Sequence, residues 1–305
     1  MRPRSAFHLL QVAVALSTCL AAACTGPGAP SPARGAERYG VLTVDETGVG
    51  RYRVGAQFVR AEGVDAERVE LLLGERGLFG TELPLGTCEI VDRAARLAPL
   101  VGDVDLDVQL LDAGELELAD ANRSALLRVR PAPHPDRLPF VAGAVYGPAA
   151  LDSTAARVRV GSRGGEEVGP FTVEADVVGA RGRWVDGAGA TIPASLSGSQ
   201  CAGAPALRIG RREPLEVGFS LEGAVAREET AIAELRVGQG DAVACRLSGP
   251  SGTLRIPAEL VQRLPPGAAE LVLTVLRRTA FGVRGLDRAE LRVRRAECLP
   301  VQLDG

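Results

Sequence analysis

Apolar and polar side chains alternate with a period of two through short runs broken by Gly and Asp, the pattern of strands with one face buried and one in water. In the first half of the body this predicts strands over 51–60, 68–73, 104–111, 115–119 and 125–130, with Asp112-Ala113-Gly114 as a tight connection. In the second half it predicts strands over 156–161, 169–178, 207–210, 215–221, 231–237, 242–248, 253–256, 270–277 and 290–294. Only 258–264 has helical character, opened by Pro257 and stopped by Pro265-Pro266-Gly267. The expected fold class is therefore all-β, as two antiparallel β-sandwich units of immunoglobulin-like build. The longest stretch without periodicity, 179–205, predicts a loop, and loops of that length in compact domains are often functional.

The N-terminus breaks this pattern. Arg2 and Arg4 precede an apolar run from Ala6 to Ala23, which reads as a signal peptide rather than as fold. The end of that run, Ala21-Ala22-Ala23-Cys24, resembles the lipobox of bacterial lipoproteins, whose cysteine takes a diacylglycerol before the preceding peptide is cut away. A competing Leu16-Ser17-Thr18-Cys19 has the usual leucine but places a bulkier threonine at the cut, so lipidation is assigned to Cys24. Gln11, Ser17 and Thr18 interrupt the apolar run and no stop-transfer charges follow it, which argues against an uncleaved anchor. By likeness to lipoprotein sorting, the neutral Thr25 points to the outer membrane, facing either the periplasm or the surface. The expected organisation is a signal peptide over 1–23, a Gly-, Pro-, Ser- and Ala-rich tether over 24–38, a β-rich domain over 39–148, an immunoglobulin-like sandwich over 149–298 and a tail over 299–305.

Composition narrows the chemistry. Apolar residues make up 46%, ample for two cores, and losing Arg2 and Arg4 with the signal moves the formal charge from −3 to −5. No basic block remains to gather phosphates, so nucleic acid is not an expected partner. All 35 basic residues are arginine, which removes Schiff-base lysines, the P-loop lysine and Ser-Lys dyads. His134 is the one histidine outside the signal and sits among prolines in Pro131-Ala-Pro-His-Pro135, too isolated for a multi-histidine metal site. No catalytic residue, metal ligand or cofactor is assigned.

Cys88, Cys201, Cys245 and Cys298 form an even set without C-x-x-C spacing, which in an exported protein reads as two disulfides. Three connectivities are open, and Cys245 with Cys298 plus Cys88 with Cys201 is the preferred one. The Asp103, Asp105, Asp107 run offers carboxylates on one strand face, but no calcium loop follows it, so these side chains are expected in water. Arg157 with Arg159 and Arg292 with Arg294 read as solvated faces of the same kind. Gly161-Ser-Arg-Gly-Gly165 lacks the phosphate-loop pattern, and no G-x-S-x-G elbow is present. One possible binding loop remains: Trp184 with Arg181 and Arg183, an aromatic beside two cations inside the longest aperiodic stretch.

Leu110-Leu-Asp-Ala-Gly-Glu-Leu116, Phe140-Val-Ala-Gly-Ala-Val-Tyr146, Gly164-Gly-Glu-Glu-Val-Gly-Pro-Phe171, Val243-Ala-Cys-Arg-Leu247 and Ser251-Gly-Thr-Leu-Arg-Ile-Pro257 follow in an order that resembles a group of uncharacterised myxobacterial-type lipoproteins. That resemblance covers roughly 106–294, with Phe219 where the group often carries a tryptophan. It implies an envelope lipoprotein of β-sandwich build and adds no activity. The expectation is a membrane-anchored lipoprotein with a non-catalytic binding or structural role, its partner an envelope protein or polymer. The alternatives are a hydrolase of cell-wall or extracellular polymer and a secretion or assembly accessory protein using a strand edge.

Overall fold

Period-two alternation becomes strands, some longer than the runs that predict them. The computed structural model describes residues 36–62, 69, 83–91, 107–120, 126–134, 141–196, 201, 207–223, 229–238 and 241–305. In chain order the strands are β1 (Glu37–Gly48), β2 (Arg51–Glu62), β3 (Cys88–Val91), β4 (Asp107–Leu110), β5 (Leu116–Asp120), β6 (Leu126–Val129), β7 (Ala132–Pro133), β8 (Val141–Asp152), β9 (Arg157–Ser162), β10 (Phe171–Asp176), β11 (Arg181–Val185), β12 (Ser195–Leu196) and β13 (Leu207–Gly210). There follow β14 (Leu215–Glu222), β15 (Glu229–Arg236), β16 (Ala242–Arg246), β17 (Ser251–Ile256), the helical turn α1 (Ala258–Val261), β18 (Gly267–Phe281) and β19 (Arg288–Asp304).

Twelve strands make one large sheet along the path β3-β16-β15-β18-β19-β1-β2-β4-β8-β7, with β12 and β13 also pairing β19. Two small sheets, β10-β9-β5-β6 and β11-β14-β17, accompany it among the described residues. The first strand pairs the last in parallel, Tyr39 opposite Arg288 through Glu46 opposite Arg295.

Each small sheet closes a sandwich over part of the large one. Leu42, Val44 and Phe58 of the large sheet pack with Leu118, Val160 and Phe171 of the four-stranded sheet. Leu235, Leu271 and Leu299 pack with Trp184, Val217 and Ile256 of the three-stranded sheet. Strand β19 serves both cores. Its alternate residues place Leu291 and Val293 in the first core and Leu299, Val301 and Leu303 in the second, leaving Arg295 and Glu297 on the same face between them.

The all-β expectation holds, while several boundaries move. Residues 299–304 are core strand rather than tail, because alternation resumes beyond Pro300. Strand β1 begins at Glu37, inside the expected tether, and β8 runs through residue 148, where a domain boundary was expected. Residues 36–305 cluster as one unit. The stretch 179–205 holds β11 and β12 instead of one long loop. Of the expected strand 68–73 only Val69 is described, and it is helical and buried; 104–106 also lie outside the described residues.

Candidate functional site: a charged seam between two cores

Arg295 is 3% exposed, a charge that survives burial only if its donors are used. They are. Its Nε and Nη2 donate to the Val177 carbonyl at 3.2 and 3.0 Å, and its Nη1 donates to the Ala180 carbonyl and to Glu229 Oε1, each at 3.3 Å. Val177 and Ala180 bracket the segment that carries the chain from β10, over the first core, to β11, over the second. The guanidinium therefore ties this crossing to the large sheet.

The network spreads along the seam. Glu229 Oε1 also accepts from Arg277 Nη2 at 3.0 Å, and Arg277 lies 3.6 Å from Asp176. Glu46 pairs with Arg181, while its buried Oε2 has no hydrogen-bond partner and sits 3.9 Å from Arg295 Nε. Desolvation lowers the Arg295 pKa, with Glu229 acting in the opposite direction. Gly179 leaves room for these charges: a Cβ there would lie 2.4 Å from Glu229 Oε1 and 2.8 Å from Arg295 Nη1, so the charged tips would have to shift.

Strand β11 forms the roof, and alternation assigns its side chains. Gly182 and Trp184 turn inward and Arg181 and Arg183 outward. Gly182 lets the strand approach closely, since a Cβ would meet Leu273 at 2.5 Å. Arg183 pairs with Glu222 at 2.8 Å. Glu297 is half-buried below the roof, and desolvation raises its pKa to about 6 against the pull of Arg183, with Glu222 raising it further and Arg181 lowering it. The seam thus holds a carboxylate that exchanges its proton near pH 6 beside two half-exposed arginines.

This rearranges the sequence-based candidates. Arg181 and Arg183 do come together with other charges, but on a strand, not a loop. Trp184 does not line a binding surface: it is fully buried, opposite Phe219 in the β11–β14 register. An indole of that size is the natural filler for the core under β11. Among the described residues, all four candidate cysteines are disulfide-bonded, in the pairs Cys88–Cys245 and Cys201–Cys298. This corrects the preferred connectivity, because strand pairing sets Cys88 directly opposite Cys245 and β12 brings residues preceding Cys201 alongside Cys298. Glu270 Oε1 accepts from the Cys201 backbone N–H at 2.9 Å, and the sulfurs it approaches are joined in the Cys201–Cys298 disulfide. Cys24 lies outside the described residues, as do Asp103 and Asp105, while Asp107 pairs with Arg60 at 3.4 Å.

The paired arginines also divide. Arg157 and Arg159 stand on the outer face of the four-stranded sheet, opposite Asp176 and Glu174, at 2.8 and 2.6 Å. Arg292 and Arg294 are not a solvated face: their side chains are 13% and 17% exposed and pair with Glu290 and Asp45. Strand β19 lies inside the large sheet, so the neighbouring β1 sets Asp45 directly beside Arg294.

One polar cluster joins residues from motifs that lie far apart in the sequence. The Tyr146 hydroxyl donates toward Asp112 Oδ1 and the Gly114 carbonyl and accepts from the Ala113 N–H at 2.8 Å, while Glu167 accepts from the Asp112 N–H at 3.0 Å and from Gln109 at 2.7 Å. Burial raises the Tyr146 pKa far above its usual value. Three of the short motifs meet here, and the contacts are those of a structural corner. No protein-family model, curated protein or solved structure matches the chain.

Proposed function

We propose that the chain is an envelope lipoprotein held at the outer membrane by an acylated Cys24, with a non-catalytic binding or structural role toward another envelope protein or polymer. The observation that carries the non-catalytic part is the seam itself. Its arginines and all its carboxylates but Glu297 are engaged with one another or with backbone carbonyls, so they hold two cores together instead of facing a substrate. Two disulfides support an exported location, since such bonds persist in oxidising compartments. The lipobox-like Ala21 to Cys24 supports the anchor, and the Gly- and Pro-rich stretch after it supports a tether. Among the described residues no helix is long and apolar enough to cross a membrane. The immunoglobulin-like character of the two sandwiches and the kinship with myxobacterial-type lipoproteins belong to the same proposal.

Metabolic labelling with radioactive palmitate tests it. Wild type incorporates label and fractionates with outer membranes, whereas Cys24→Ala does neither. Equal labelling of both proteins, or a wild type found wholly in the soluble fraction, contradicts the reading.

A further inference from the structure

The first and last strands of the fold are immediate neighbours and run parallel, Tyr39 to Glu46 beside Arg288 to Arg295. The chain enters β1 at Glu37 and leaves β19 at Asp304. Opposite pulls on these two points therefore slide β1 and β19 along each other. Every hydrogen bond between them carries the load together, whereas strands peeled from one end lose their bonds one pair at a time.

Neither strand can slip past an edge. On its other side β1 is held by β2 from Glu37 opposite Ala61 to Gly48 opposite Arg51, and β19 is held by β18 along nearly its whole length. Ion pairs cross the β1–β19 seam at both ends: Glu37 with Arg288 at 3.0 Å, and Asp45 with Arg294. The Arg38 N–H also donates to Asp287 at 2.7 Å.

We propose that the parallel β1–β19 pair is a mechanical clamp, which lets the folded body bear tension applied between its N-terminal segment and its C-terminal strand. The inference rests on the tethered-lipoprotein reading only for the source of the load. The clamp itself follows from strand register.

Single-molecule force spectroscopy on the full chain tests it by comparing two attachment geometries. In the first, handles sit at the two chain ends and load β1 against β19 in shear. In the second, one handle is ligated into the exposed Pro265-Pro266 turn and the other is at the C-terminal end, which peels β19 from β18 starting at Gly267 opposite Leu303. Circular dichroism establishes that both preparations are folded. The clamp predicts an unfolding force at least twofold higher end to end than in the peeling geometry at the same loading rate. Equal forces, or a weaker end-to-end geometry, overturn it. Loss of palmitate labelling in the experiment above would remove the anchor and leave this result unchanged.

Discussion

Glu46 and Arg295 stand opposite each other in the parallel β1–β19 register, both nearly inaccessible to water, at the point where one hydrophobic core gives way to the other. Their carboxylate and guanidinium come no closer than 3.9 Å, because Arg295 spends its donors on Val177, Ala180 and Glu229. The arginine acts first as a tie for the crossing between β10 and β11, and second as a counter-ion.

Removing that tie costs Glu229 one of its two arginines and leaves the Val177 and Ala180 carbonyls without their donor. Arg295→Met is expected to lose about 3–5 kcal/mol of stability, the usual cost of breaking one side of a buried ion pair. Gly179→Ala, which leaves every charge in place but drives a methyl group into Glu229 and Arg295, should also destabilise. Urea denaturation of both variants measures this, and a change below 1 kcal/mol in each would show that the seam carries little of the fold's stability.

Glu297 gives the fold a pH dependence of definite sign. Its pKa rises from 4.5 to about 6 on folding, so the native state favours the protonated form. Its contribution is full below pH 4.5 and is lost as pH rises through 6. Glu297→Gln cannot ionise, so it should be more stable than wild type at pH 8, on the order of 1 kcal/mol after discounting for water near a half-buried group. The difference in urea midpoint between the two proteins should shrink as pH falls from 8 to 4.5. A difference that does not change with pH would mean that Glu297 titrates normally.

Trp184 is the only tryptophan and is fully buried against Phe219. Native fluorescence should therefore be blue-shifted and resistant to acrylamide, and should move to the red on unfolding. A native spectrum already at the position of exposed indole would place Trp184 at a surface.

Glycine is needed at Gly143 for two reasons: φ is 117°, and a Cβ would lie 1.9 Å from the Leu110 carbonyl oxygen. Gly143→Ala should fail to reach the native state or lose several kcal/mol, a scale expected when strain and a backbone clash coincide. Gly187→Ala, with nothing within 4 Å of the new methyl group, should behave as wild type. Similar thermal melts for the two would contradict the close approach of β4 and β8.

Much of the fold was legible in the chain, since alternation alone marks β9, β14, β15 and β16 within a residue or two. It failed where charges sit inward. Strand β19 reads as 290–294 because Arg295 and Glu297 take the place of apolar residues on its inward face, and both belong to the seam. Trp184 stands out in the sequence as part of a possible binding loop because Arg181 and Arg183 flank it, yet alternation sends the arginines one way and the indole the other. Disulfide partners depend on which distant strands become neighbours, and neither cysteine spacing nor local pattern carries that information. The same holds for Tyr146, Asp112 and Glu167, whose meeting joins strand β8 to two connections far apart in sequence.

The most direct measurement is mass spectrometry of the purified native protein, intact and after proteolysis without reduction. The account predicts a mature chain that begins at an acylated Cys24, with one disulfide-linked peptide pair containing Cys88 and Cys245 and another containing Cys201 and Cys298. A chain that retains Met1, carries no acyl group and has four free thiols in its body would contradict it.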